Sequence, residues 1–444
     1  MNFLSIAWRN MCERPLASFL TGLSMALGVA AVIMVLVIHR VAVEQFEQDA
    51  QGYHFIVGGT GGRTELVMST VYHLGKPLYP ISYAYYRKFV DGEYAKYTDA
   101  AIPYCLGDTF VVGDYKYRAI GTTPDLFEKL KYDGVTPYEF SEGRNFKREK
   151  FREAVIGSVI ARQGKIKVGD KVNPTHGLGG NPEDEHEESF EVVGILKPTG
   201  TANDRAVYVN MEGFYLMPNH SLSAKPKNAD DTEASTVPEP GAPTVGYDNE
   251  GNELEPLPEA QREVTSILVL AKGPTEAMEL NFSINKSGSG TQAVPPSEVV
   301  TQMLENIVGP VRTVLLVLTA LIVLVAAIGI LVSIYNSMSD RAHDIAVMRA
   351  LGASRGAVQS IVLLEAVLLA LLGGLAGWVL GHLMVGLASP YVEIKTGVPL
   401  DMLAVDPKEL IVLPSLVLLA ILAGILPAIT AYRTDVAKAL SGTR

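Results

Sequence analysis

Four long apolar stretches, at 16–38, 313–339, 356–388 and 410–432, constrain this 444-residue chain more than any other feature. None contains a lysine, arginine or aspartate, and Glu365 is their single glutamate. Each is long enough for an α-helix to cross the hydrocarbon core of a bilayer, which takes roughly 20 apolar residues. The predicted fold class is therefore a membrane protein with four transmembrane α-helices. The interval between the first and second stretches is too long and too polar for a loop, and is read as a large α+β extracytoplasmic domain.

Lysines and arginines in the short flanking segments set the orientation, because they resist translocation. The N-terminal tail carries Arg9 and Arg14, the 340–357 junction Arg341, Arg349 and Arg355, and the C-terminal tail Arg433, Lys438 and Arg444. The short loop at 390–409 has only Lys395 and Lys408 against four acids. Both termini and the junction are expected in the cytoplasm, with the chain multi-pass. The expected order is a cytoplasmic amphipathic segment at 1–15, helix 1 at 16–40, the extracytoplasmic domain at 41–310, and helix 2 at 311–339. A cytoplasmic helix at 340–355, helix 3 at 356–388, a loop at 389–409, helix 4 at 410–432 and a tail at 433–444 complete it. The first apolar run exceeds the ~7–15 residues of a signal peptide's core, and is read as a retained anchor.

Within 41–310, short β-prone runs bounded by Gly, Asp and Pro recur at 53–57, 109–112, 115–120, 154–156, 167–172, 190–196, 206–209 and 265–270. Helical patterns lie at 82–90, 124–131 and from 297 into the second span, and the two ends of the domain read as stalks. From Asp230 to Glu259 there are nine acids and no Lys or Arg, and six prolines lie between Pro226 and Pro258. Such a segment buries too little apolar surface to offset its ordering entropy, so a disordered acidic loop is expected at about 225–262. The net charge of -11 is mostly external; with no basic patch, nucleic acid is not an expected partner.

The junction at 340–354 interleaves charges with apolar residues: Asp340, Arg341, Asp344 and Arg349 among Ile345, Met348 and Leu351, ending in Gly352 and Ser354. This is the pattern of a short amphipathic helix at a membrane face, with Arg341 and Asp344 on one side and Gly352 free to stop the helix. A soluble partner could push such a helix. The run from Arg341 to Ser354, followed by Glu365 and Ala366, resembles the second-to-third-helix junction of MacB/FtsX-type ABC transporter permeases. Trp8-Arg9-Asn10 with 14–21 at the front, and Pro427-Ala428 with 432–440 at the end, resemble the same family. So do Lys167–Val172, Phe190–Leu196 and 203–209, which look like its two-part periplasmic domain. Asp344-Ile345-Ala346 stands where the family more often has Glu-Ile-Gly.

The resemblance implies a permease subunit that works as a homo- or heterodimer with a cytoplasmic ABC ATPase gripping Asp340, Arg341, Asp344, Ile345, Met348, Arg349, Leu351, Gly352 and Ser354. ATP and magnesium would be bound by that partner, with no cofactor in this chain. It further implies that ATP-driven motion is transmitted to the external domain, to export or extract a periplasmic or membrane-derived substrate. The alternative is a non-transporting subunit that activates a periplasmic partner such as a cell-wall hydrolase. A periplasmic adaptor or substrate protein is a further expected partner.

Two stripes of small residues repeat every fourth position, Gly22, Ala26 and Ala30 in the first span and Gly373, Gly377 and Gly381 in the third. That spacing lets helices approach closely. Glu365 is costly in lipid unless bonded, and is read as a structural bond near the cytoplasmic end; His382 is read as a packing residue. The chain has no Gly-x-x-x-x-Gly-Lys-Ser/Thr phosphate loop, no His-Glu-x-x-His, no Cys-x-x-Cys and no Gly-x-Ser-x-Gly, so no catalytic residue is expected. His176 and His186 flank five acids in a Gly- and Pro-rich stretch; a solvated loop is the favoured reading there over a metal site. Cys12 and Cys105 fall on opposite sides of the membrane and are not expected to pair.

Overall fold

The computed structural model describes residues 3–113, 115–177, 186–218, 239–340, 342–396 and 400–433. The chain divides into two compact units, one formed by 1–43, 306–393 and 399–444, the other by 44–305 with 394–398.

The first unit is helical: α1 (Phe3–Glu13), α2 (Pro15–Asp49), α3 (Gly309–Asp340), α4 (Ala342–Ala350), α5 (Arg355–Thr396) and α6 (Glu409–Arg433). Proline at the first position of α2 costs nothing there, since that N–H has no intrahelical acceptor. α1 buries Ala7 and Met11 and exposes Phe3, Leu4 and Trp8, an apolar face suited to the headgroup boundary. Two segments, Pro15–Asp49 and Gly356–Val392, are long and apolar enough to cross a membrane; the described apolar stretches of α3 and α6 are shorter, Ala320–Gly329 and Glu409–Ile425. α5 runs through Pro390 to Thr396, beyond the expected end at 388. The core of this unit joins Met25, Val29, Ile33 and Val37 of α2 to Val358, Val362, Ala366 and Leu369 of α5 and Leu416 and Ala420 of α6.

The second unit is built on a ten-stranded mixed sheet. Its strands are β1 (Phe55–Gly59), β2 (Thr98–Val112), β3 (Tyr115–Thr122), β4 (Phe140–Gly143), β5 (Glu153–Ile156), β6 (Lys171–Val172), β7 (Phe190–Leu196), β8 (Ala206–Asn210), β9 (Ser266–Ala271) and β10 (Thr291–Val294). They lie in the order β10-β1-β9-β2-β3-β8-β5-β7-β4, with β6 beside β7. The pairs β3–β8 and β5–β7 are parallel, the rest antiparallel. Both faces are covered. Phe55, Val57, Tyr117, Val207 and Val209 point into one core, while Ile56, Ile102, Tyr104, Ile120 and Tyr208 point into the other, as the two-residue period of a strand requires. Strands buried on both faces read as continuous apolar runs, which is why β1, β7, β8 and β9 are legible in sequence.

The stretch expected to be a disordered acidic loop differs in its described half. Residues 219–238 lie outside the described residues, but 239–262 is docked. Glu239 is buried and accepts hydrogen bonds from the Tyr83 and Tyr86 hydroxyls. Glu259 pairs with Arg87 at 2.6 Å, and Gly246–Tyr247 forms a small ladder with Glu253–Leu254. Arg262 closes the segment by pairing with Glu212 at 2.7 Å and lying over the rings of Tyr83 and Tyr215. Composition alone gives no sign of these partners, because they come from helix Tyr83–Val90 and from 211–215, far away in the chain.

Candidate functional site

The junction between α3 and α5 folds as sequence chemistry dictates. α4 ends in a Schellman motif: the Ala353 N–H donates to the Met348 carbonyl at 3.0 Å and the Gly352 N–H to that of Arg349 at 3.1 Å. Gly352 has φ +103°, a conformation that side chains resist, and a Cβ there would meet nothing within 4 Å. Two residues later Ser354 caps α5, its hydroxyl oxygen accepting from the Ala357 N–H at 3.2 Å. A C-cap followed at once by an N-cap makes a tight, hydrogen-bonded turn between α4 and α5.

α4 is held from within by Ala346, which is fully buried, and by Met348, which packs on the core containing Met11 and Val358. Val347 and Ala350, and Leu351 just past the end of α4, are exposed, the last 83%. These three exposed side chains are apolar. Arg349 is half-buried. Arg341 lies outside the described residues, and Asp340, Asp344 and Ile345 are placed by their backbones in α3 and α4. Sequence reading missed Val347, because an isolated valine in a helix is indistinguishable from core until burial is known.

The two small-residue stripes face each other. A Cβ on Gly373 would lie 2.9 Å from Met25 Cβ and 3.0 Å from the Gly22 carbonyl oxygen; one on Gly377, 2.5 Å from that of Ala26; one on Gly381, 3.1 Å from that of Ala30. Positions advance by four on both helices, so α2 and α5 run parallel in close backbone contact. Gly22 itself has open space where its Cβ would be, so it contributes backbone rather than a cavity. Glu365 is buried, 8% exposed.

His382 departs from the packing role. Its Nδ1 lies 2.8 Å from the Met402 carbonyl oxygen and its Nε2 2.9 Å from Glu409 Oε2. A carbonyl only accepts, so the hydrogen bond to Met402 is donated by Nδ1. The Trp378 indole N–H donates to the same oxygen at 2.9 Å. Glu409 Oε1 accepts from the Asp406 N–H at 2.9 Å while Asp406 Oδ1 accepts from the Lys408 N–H at 2.8 Å, a reciprocal pair of the capping-box type in the turn that leads into α6. The Asp-Pro-Lys-Glu run carried that signal in sequence. The histidine partner did not show.

Two family models match different parts of the chain. Residues 18–236 match the model of the MacB-like periplasmic core domain, and residues 316–436 that of the FtsX-like permease C-terminal region. An uncharacterized ABC transporter permease of Methanocaldococcus jannaschii is 25% identical over 253 residues, 56% of this chain and 51% of that protein. A macrolide export ATP-binding/permease protein, MacB 1/2 of Paracoccus denitrificans, is 33% identical over 147 residues, 31% of this chain and 20% of its own length. The alignments thus span about half of the first relative and a fifth of the second. Among solved structures, the extracellular domain of the noncanonic ABC-type transporter YknZ from Gram-positive bacteria aligns over 54% of this chain and 98% of its own, at 13% identity and a TM-score of 0.28.

Proposed function

Since the chain belongs to the MacB/FtsX-type ABC transporter permease family, a membrane protein with a periplasmic domain, we propose that it receives the stroke of a separate ATPase at α4 and passes it outward. The observation that carries this reading is the α4–α5 turn. Val347 and Leu351 stand exposed on and just past a helix that is short, anchored by Ala346 and Met348, and closed by a rigid double cap. An exposed apolar face on a fixed element fits a groove on a protein partner. The sequence has no phosphate loop, so ATP and magnesium belong on that partner.

In this reading all four long helices cross the inner membrane, with both termini and α4 in the cytoplasm, and two permease copies assemble with two ATPases. Closure of the ATPases moves α4. The close α2–α5 contact makes those helices move as one body, and α2 and α3 lead directly into the chain of the sheet domain. Work is then done outside the membrane, to export or extract a periplasmic or membrane-derived substrate.

Co-expression with the candidate ATPase, purification in nanodiscs and measurement of ATP turnover test the proposal. A stable complex whose turnover is lost in Leu351→Asp, with the sheet domain's thermal unfolding unchanged, is the expected result. Unaltered co-purification and turnover in Leu351→Asp, Val347→Asp and Arg349→Glu would remove α4 from the interface.

A further inference from the structure

Asp108 lies at a β-bulge. The register of β2 against β3 shifts between Leu106 and Thr109, so that Gly107 and Asp108 together oppose the single residue Ala119. The bulge turns the Asp108 carboxylate inward, where it is wholly buried. Two histidines meet it there. His186 Nε2 is 3.2 Å from Oδ2 and His176 Nδ1 is 3.5 Å from Oδ1, and one ligating atom from each of the three residues lies within 4.8 Å of the others. His186 is buried too, not solvated as the stretch around it suggests, whereas the His176 side chain is half exposed.

The backbone fixes all three. Thr109 and Thr175 exchange hydrogen bonds at 3.0 and 2.7 Å, and the Thr109 hydroxyl donates to the Gly177 carbonyl at 2.7 Å, which brackets His176. The His186 N–H donates to the Pro174 carbonyl at 2.9 Å, and Asn173 Nδ2 to the His186 carbonyl at 3.4 Å. Residues 178–185, between the histidines, lie outside the described residues and are not needed for this geometry.

We propose that Asp108, His176 and His186 bind a divalent transition-metal ion, Zn²⁺ by the character of the ligand set, on the extracytoplasmic sheet domain. Two imidazoles and a carboxylate are nitrogen and oxygen donors that zinc takes at about 2.0–2.2 Å, and a tetrahedron of such bonds has edges of about 3.3–3.6 Å. The 3.2 and 3.5 Å separations run to the two different carboxylate oxygens; with one oxygen as the ligand the three atoms lie within 4.8 Å of one another, so a modest contraction brings them to that length. The half-exposed side chain of His176 provides a route for entry and can move to shorten the histidine–histidine edge. The cation also offsets the cost of a fully buried carboxylate, a charge that Arg118 attracts electrostatically from the neighbouring strand. The competing state is a plain Asp–His–His hydrogen-bonded cluster held with the help of Arg118. This inference is independent of the ATPase proposal.

The test is titration of the full-length, tag-free chain in detergent, stripped with chelator, with Co²⁺ and then Zn²⁺, read by visible absorption and calorimetry. One equivalent per chain is expected, with ligand-field bands of Co²⁺ that Zn²⁺ displaces. Asp108→Asn and His186→Gln should weaken binding by more than the roughly 10–100-fold that follows loss of a mere supporting partner. Should either buried variant fail to fold, His176→Gln, at an exposed side chain, must still weaken it at least tenfold. No saturable site in the wild type, or binding equal in wild type and His176→Gln, overturns the proposal in favour of the hydrogen-bonded cluster.

Discussion

Gly377 of α5 stands so close to Ala26 of α2 that a Cβ at 377 would lie 2.5 Å from the Ala26 carbonyl oxygen and 2.7 Å from Val29 Cβ. Backbone cannot yield as a flexible side chain can. Gly377→Ala is expected to force the helices apart and cost about 1–3 kcal/mol, the range of overpacked cores. Thermal unfolding in detergent checks this against Gly329→Ala, where nothing lies within 4 Å. Equal melting temperatures for the two variants would show that the parallel α2–α5 contact is not closely packed.

His382 and Glu409 form a buried pair, His382 Nε2 lying 2.9 Å from Glu409 Oε2. Removing one partner takes one hydrogen bond from the other at a buried site, a loss of about 1–3 kcal/mol, whereas replacing both with apolar residues costs less than the two losses summed. A double-mutant cycle with His382→Leu and Glu409→Leu should therefore give strongly non-additive effects. Additive losses would mean that Glu409 acts through its cap on α6 alone.

At the α4–α5 turn, Gly352 adopts φ +103° in open space, so any penalty for replacing it is conformational. Gly352→Val should destabilise the turn by about 1–2 kcal/mol, and Gly352→Asn by less, since asparagine tolerates this region. Graded loss of ATPase stimulation in the order Gly, Asn, Val is the expected readout. A Val variant that stimulates fully would show that the turn need not be rigid.

The pH dependence of the sheet domain should show His73. Both its ring nitrogens are shut off from solvent, and burial, helped by the nearby Arg118 charge, holds its pKa down at about 3. The folded pKa lies below the unfolded value of 6.5. Stability from this group is therefore full above pH 6.5 and is lost as pH falls toward 3. Denaturant unfolding from pH 7 to pH 4 should show this slope, and His73→Asn should flatten it. An unchanged slope in the variant would assign the acid sensitivity to other groups.

The sequence determined the long apolar helices, the sheet strands that are apolar on both faces, and the turn at 351–354, because each rests on local chemistry. An uninterrupted apolar run, an alternation of period two, or a Gly followed by a Ser cap acts within a few residues. It also placed the chain in its family, through residues at the α3–α5 junction. The tertiary structure decided what meets what. It set the Gly373–Gly377–Gly381 stripe on Ala26 and Ala30, docked Glu239 under two tyrosines, joined His382 to Glu409, and gathered Asp108, His176 and His186 at one bulge. Each of these pairings spans a long stretch of chain or turns on which face of an element is buried, and neither local propensity nor composition encodes such distances.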